Sequence, residues 1–212
     1  MSENRKFSVL MSVYIKENPA FLKEAVESIL HQTLQPSEVV IVEDGPLTPE
    51  LYQVLEELEA QSSIPIKRCP LEQNRGLGLA LKYGVTQCQY DVIARMDTDD
   101  IAVEDRFEQQ FELMETENLD LLGGHIAEFI DQPDEIVSYR RVPIKHEDII
   151  VYQRMRSAFN HMTVMFKKEM VLKAGNYEDG LYMEDDLLWL NMISAGARTG
   201  NVDQILCKVR VG

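Results

Sequence analysis

The sequence predicts an α/β fold: a Rossmann-like, mostly parallel central sheet flanked by helices, with a smaller mixed portion after it. Three observations carry this expectation. Strand-like and helix-like segments alternate four times within roughly the first hundred residues, the pattern of βα units joined by right-handed crossovers. The strand candidates are near-continuous apolar runs, as expected where helices cover both faces of a sheet. Polar clusters follow directly where these runs stop, which collects them on one edge of the sheet.

Taken in order, Phe7–Tyr14 (FSVLMSVY) is the first buried strand. Asn18 and Pro19 then supply an N-cap and an N1 proline for a helix whose Leu22, Ala25, Val26, Ile29 and Leu30 recur at helical spacing. Glu38–Val42 is a second strand ending in Glu43–Asp44–Gly45. Thr48–Pro49 caps a second helix through about Ala60, with Leu51, Val54, Leu55 and Leu58 inward. Ile64–Cys69 is a third strand, followed by the loop Glu72–Gly76, a helix from about Leu77 to Gln87, and a fourth strand at Tyr90–Met96. Further on, a helix is expected over about Val103–Glu117, strands at Asp120–Gly123, His125–Ile130 and Ile136–Arg141, and a helix over His146–Arg156. Thr163–Phe166 reads as a strand, Lys168–Ala174 as a short helix, Glu184–Ala195 as an amphipathic helix and Val202–Val209 as a final strand. Neither an internal repeat nor a Pro/Ser/Gly linker divides the chain, so one domain is expected over residues 1–212.

Composition narrows the function classes. A net charge of −15 over 212 residues, 45% of them hydrophobic, argues for a sizeable core and against a nucleic-acid partner. Small basic patches such as Arg140–Arg141 and Lys167–Lys168 leave room for peripheral contact with an anionic membrane. Cys69, Cys88 and Cys207 are too few and too scattered for a disulfide framework or a zinc site, and read as buried apolar residues. No apolar run reaches the length of about 18 residues that spans a bilayer, and Phe7–Ile15 has no small-residue cleavage site. A cytoplasmic location is expected.

The fourth strand stops in Asp97–Thr98–Asp99–Asp100. Two carboxylates about 5 Å apart repel by roughly 3 kcal/mol at an effective dielectric of about 20. Either water solvates all three on a loop, or a cation sits among them; Asp99 or Asp100 could also cap the next helix. On the same edge stand Ser12 and Tyr14 after the first strand, Asp44 after the second and Asn74–Arg75–Gly76 after the third. Asp97 and Asp99 are spaced to share a hard cation such as Mg²⁺ or Mn²⁺, Arg75 could offset phosphate charge, and Asp44 could accept hydrogen bonds from a base or ribose. Together these read as a nucleotide-diphosphate and metal site. Gly76–Leu77–Gly78 opens a G-x-G-x-x-G-like string, but Leu81 takes the last glycine position. A phosphatase of the haloacid-dehalogenase type needs its acids after the first strand, where none occurs.

The stretches FSVLMSVYIKENPAFLKEAVESILHQT, PSEVVIVEDGP, NRGLGLALKYG, ARMDTDD, NHMTVMFKK and YMEDDLLWLNM together resemble family 2 glycosyltransferases of the GT-A fold, in that family's order and over nearly the whole chain. In detail the chain looks most like bacterial polysaccharide or O-antigen enzymes that add a second sugar to a lipid-diphosphate-linked acceptor. The resemblance implies a nucleotide-sugar half in residues 1–100 and an acceptor half in 101–212, with relatives continuing beyond Gly212. It implies that Asp44 reads the uracil of a UDP-sugar, with Ser12 and Tyr14 in the same pocket and Arg75 nearby. Asp97 and Asp99 match the D-x-D motif, Asp99 as principal ligand of Mn²⁺ or Mg²⁺, and Asp100 is left as a cap. Asp185 matches the base of an inverting transfer. His161 falls where relatives carry a histidine near metal and acceptor. His125 and His146 are expected at the surface or in turns, and Leu187, Trp189 and Leu190 in packing. The rival readings are a sugar-nucleotide nucleotidyltransferase, which usually has a glycine-rich basic loop where this chain has Ile15–Asn18, and a non-catalytic nucleotide- or cation-binding module.

Overall fold

The computed structural model describes residues 5–178 and 183–212. The strands are β1 (Ser8–Val13), β2 (Glu38–Glu43), β3 (Ile66–Pro70), β4 (Val92–Arg95), β5 (Ile101–Ala102), β6 (Leu121–Phe129), β7 (Ile136–Arg140), β8 (Met165–Lys167) and β9 (Thr199–Arg210). The helices are α1 (Pro19–Leu30), α2 (Pro49–Gln61), α3 (Leu77–Gln87), α4 (Arg106–Glu117), α5 (His146–Tyr152), α6 (Lys168–Lys173) and α7 (Glu184–Ser194).

Among the described residues the strands form one sheet in the order β3-β2-β1-β4-β8-β6-β9-β5, with β7 pairing the later part of β6 on the edge whose start pairs β8. The first four strands are parallel. β8 runs antiparallel to both β4 and β6, and β6 is parallel to β9. Both faces of the sheet are dry. Val9, Met11, Val39 and Ile41 point to the side of α1, α2 and α4, while Leu10, Val40 and Val42 point to the side of α3 and α7. This period-two division of continuous apolar runs is what a three-layer sheet requires.

The helix starts follow local chemistry. Asn18 accepts the Ala20 N–H at 2.9 Å and Thr48 the Leu51 N–H at 3.3 Å, each followed by proline at the first helical position. α3 lies close on the sheet because Gly84 has no side chain: a Cβ there would stand 2.4 Å from Leu10 Cδ1 and 2.9 Å from Val42 Cγ2.

The second half departs from expectation in several places. The segments read as two strands across Gly123–Gly124 form the single strand β6. The glycines allow close contact rather than a break, since a Cβ on Gly124 would lie 2.5 Å from Leu206 Cδ1. α4 begins at Arg106 rather than Val103, and the Val103 N–H bonds the Leu206 carbonyl at 3.0 Å. α5 stops at Tyr152 rather than Arg156, because Gln153 Oε1 accepts the Ala158 N–H at 2.7 Å and turns the chain back. β5, two residues long against β9, was too short for any periodicity to reveal.

Candidate active site

The carboxyl ends of β1, β2 and β4 and the loop after β3 enclose a cavity of about 450 Å³. Its lining includes Ser12, Tyr14, Asp44, Asn74, Gly76, Asp97 and Asp99, which the sequence assigned to one edge from strand order, together with Glu17, Leu77 and Thr98.

Asp44 is 4% exposed and pins the loop opposite it. Its Oδ1 accepts the Arg75 N–H at 2.7 Å, its Oδ2 accepts the Gly76 N–H at 3.0 Å, and Asn74 Nδ2 donates to its carbonyl at 3.2 Å. Gly45, at φ +86°, permits this approach: a Cβ would fall 2.5 Å from Asn74 N. The Arg75 backbone thus holds Asp44 in place. The Arg75 side chain is exposed and is not part of the cavity lining.

Asp97, Asp99 and Asp100 each bring one carboxylate oxygen within 4.8 Å of the others. An all-oxygen anionic set of this kind suits a hard divalent cation. Asp97 is ion-paired to Arg95, whose side chain is 2% exposed and whose Nε and Nη1 have no partner among the described residues. Burial and then the Asp97 charge raise the Asp99 pKa. Asp100 is no helix cap. Asp105 holds the position before α4, and the buried Asp100 carboxylate accepts the Arg210 N–H of β9 at 3.0 Å. Burial, Asp97 and Asp99 push it up to about 8.

Glu17 brings a fourth carboxyl to the cavity. Burial first, then Asp99 and Asp97, push its pKa from 4.5 to about 7, against a hydrogen bond from Thr98 that lowers it. Sequence reasoning passed over both Glu17 and Arg95. Arg95 had a signal, a lone arginine inside an apolar strand, since a buried guanidinium needs a partner. Glu17 had none, because only the turn closed by its N–H on the Tyr14 carbonyl at 3.1 Å swings it over the acids.

Asp185 and His161 lie outside the lining of this cavity. Asp185 sits in the first turn of α7 with Glu184 and Asp186, and burial raises its pKa. That turn abuts the start of α3: a Cβ on Gly78 would stand 2.9 Å from the Glu178 carbonyl and 3.3 Å from Glu184 Cβ. Leu77, one residue earlier, lines the cavity. Tyr182, which opens the motif YMEDDLLWLNM, lies outside the described residues. His161 Nε2 is 2.9 Å from the Tyr177 hydroxyl, and its ring packs against Tyr177 and Trp189. Burial, then Arg95, hold its pKa well below the usual imidazole range, so the ring is neutral.

Other expectations fare unevenly. Trp189 is fully buried, whereas Leu190 is 40% exposed. His125 is buried rather than superficial, held between the Asp203 carboxylate at 3.1 Å and the Val142 N–H at 3.2 Å. His146 is half-buried against Thr199. The three cysteines are buried and free.

A mostly parallel sheet with helices on both faces, continued by a mixed portion, is the fold of the GT-A glycosyltransferases. Staphylococcus aureus TarS superposes with a TM-score of 0.76 at 18% identity, over 97% of this chain and 37% of TarS. The model of "Glycosyl transferase family 2" matches residues 8–176, and the chain belongs to that family. It is 48% identical to an uncharacterized glycosyltransferase of Haemophilus influenzae, over 98% of this chain and 76% of that one. It is 42% identical to the amylovoran biosynthesis glycosyltransferase AmsE of Erwinia amylovora, over 97% and 76%. It is 40% identical to an Escherichia coli UDP-Gal:alpha-D-GlcNAc-diphosphoundecaprenol beta-1,3-galactosyltransferase, over 97% and 74%.

Proposed function

We propose that the chain is a metal-dependent, inverting glycosyltransferase of cell-surface polysaccharide synthesis, taking a sugar from a UDP-sugar to a hydroxyl of a lipid-linked saccharide. The observation that carries this reading is the meeting of Asp44, Asp97 and Asp99 around one cavity. The E. coli and Erwinia relatives support the polysaccharide context and the class of acceptor. Residues 1–100 would hold the donor and 101–212 the acceptor. The reaction would take place at the cytoplasmic face of the membrane; among the described residues no helix is long and apolar enough to cross one.

In this reading Ser12, Tyr14 and Asp44 receive the nucleoside, while the backbone of Arg75 and Gly76 fixes Asp44 and the entrance to α3. Asp99, with Asp97, would hold Mn²⁺ or Mg²⁺, which when bound neutralises charge on the departing diphosphate. The acceptor hydroxyl oxygen forms its bond to the anomeric carbon on the face opposite UDP as the carbon–phosphate oxygen bond breaks. Asp185 takes the hydroxyl proton; its raised pKa strengthens it as a base, and such assistance is typically worth about 10²–10⁴-fold. His161, neutral and held by Tyr177, contributes by shape and hydrogen bonding rather than charge.

Thermal-shift measurements with UDP, GDP, TDP and CMP, each with and without Mn²⁺, test the reading. Ligand at 100 times its Kd should add about 2.7 kcal/mol, and UDP with Mn²⁺ is expected to give the largest response. No metal-dependent response to any nucleoside diphosphate would overturn the proposal. Asp185→Asn should retain the UDP response and lose transfer by at least about 100-fold. UDP binding without transfer to any acceptor would leave the chain a binding module.

A further inference from the structure

We propose that the outer face of α5, the turn that follows it and the exposed edge of β7 form a docking surface for an anionic lipid bilayer. The inference rests on the reading above for its purpose, since it names the surface that would bring the chain to a lipid-carried acceptor.

Four large apolar side chains are exposed within this region: Val137 at 56%, Tyr139 at 60%, Val151 at 64% and Met155 at 88%. Val151 and Met155 line a groove of about 500 Å³ with Pro143, Tyr152, Arg156 and Asp148. β7 adjoins the turn, because Arg140 Nη2 donates to the Ser157 carbonyl at 3.0 Å, and Tyr139, alternating with Arg140 along the strand, is exposed on the other face of the same edge. Exposed apolar groups clustered this way mark an interaction site rather than ordinary surface.

The surrounding charge selects the occupant. Residues 139–156 carry five basic side chains (Arg140, Arg141, Lys145, Arg154, Arg156) against two acids (Glu147, Asp148), in a chain whose net charge is −15. Among the described residues none of these four arginines has a carboxylate within 4.0 Å. Guanidinium groups without a carboxylate partner, in the same stretch as exposed Met and Val, match a lipid interface, where phosphates lie just outside acyl chains. At physiological ionic strength the screening length is about 8 Å, so acids on the far side of the molecule oppose this weakly. A second copy of the chain would instead set arginine against arginine.

The surface is also fixed to the candidate chemistry. Gln153 Nε2 donates to Asp186 Oδ1 at 2.7 Å, tying the turn after α5 to the first turn of α7, where Asp185 stands. A bilayer seated here would present a headgroup-borne sugar on the acceptor side of the molecule.

Vesicle flotation of the full chain tests the proposal. The chain should float with phosphatidylglycerol-containing vesicles, less so as salt is raised, and remain unbound with phosphatidylcholine alone. Reversing three charges together, Arg141→Glu, Arg154→Glu and Arg156→Glu, should reduce partitioning about a hundred-fold. Met155→Asp with Val151→Asp should abolish it at low salt. Far-UV circular dichroism and a cooperative thermal melt report in parallel that each variant is folded. Failure of the unaltered chain to float, or flotation of either folded variant like the parent, would overturn the surface. So would a dimer that Met155→Asp dissociates in a chain that binds no vesicle. Flotation that depends on these residues, in a chain that never responds to nucleotide, would uphold the surface and overturn the glycosyltransferase mechanism instead.

Discussion

Asp97 and Asp99 stand two residues apart and should respond to neutralisation in opposite directions. Asp97 is the partner of the buried Arg95, so Asp97→Asn leaves a guanidinium buried and uncompensated. Removing one member of a buried pair costs about 3–5 kcal/mol; the partial exposure of Asp97 points to the lower end. Asp99 has a raised pKa because burial and Asp97 disfavour its charge, so Asp99→Asn should raise the urea midpoint of the metal-free protein. Equal shifts in the same direction would contradict this division. Glu17 supplies a pH signature. Its folded pKa of about 7 lies above 4.5, so its contribution is fully present below pH 4.5 and lost as pH rises through about 7. Denaturant midpoints at pH 5 and pH 8, without divalent ions, should differ less in Glu17→Gln than in the parent; an unchanged difference would refute the assignment. The same site also marks the limit of sequence reading. Asp44, Asp97 and Asp99 were legible because each follows a recognisable strand. Glu17 and the burial of Asp100 depend on where a turn and a distant strand return.

At the scale of elements, strands with two buried faces were the easiest to read, since their apolar runs admit few other structures. α1 and α2 announced themselves through Asn18–Pro19 and Thr48–Pro49. β6 was misread because a glycine pair that permits close packing looks, in one dimension, like a pair that ends a strand. His125 was misplaced for the same reason, since the strand that buries it had been cut. Gly84 tests the importance of such close approaches. Gly84→Ala must push α3 away from Leu10 and Val42, and overpacking of this kind costs about 1–3 kcal/mol. For a chain of this size each kcal/mol lowers Tm by about 2–4 °C, so calorimetry should show a clear loss. Because α3 carries Gly76 and Leu77 into the cavity, the variant should also weaken the UDP response.

The whole molecule carries a net charge of −15, and its candidate site adds several acids within a few ångströms. Self-repulsion of this kind is relieved by ionic strength. The metal-free protein should therefore gain thermal stability between low salt and about 0.5 M NaCl, a concentration at which only short-range charge interactions survive. Millimolar Mn²⁺ should exceed the gain from an equal ionic strength of NaCl if the carboxylates act as one cation site. Equal gains from both salts would reduce the cluster to general acidity.

The two hydrogen bonds from the Arg75 and Gly76 amides to Asp44 make the loop before α3 a latch, and the latch carries its own reporter. Arg75 is an exposed trypsin site, closed only while Asp44 holds the backbone that a protease must extend. Asp44→Asn turns one acceptor into a donor facing an N–H, so trypsin should nick the variant after Arg75 while the parent resists. The two pieces would stay together, because β1 on one side of the cut remains paired with β4 on the other. A nicked protein that still migrates as one particle would show that this edge can open without dismantling the sheet beneath it.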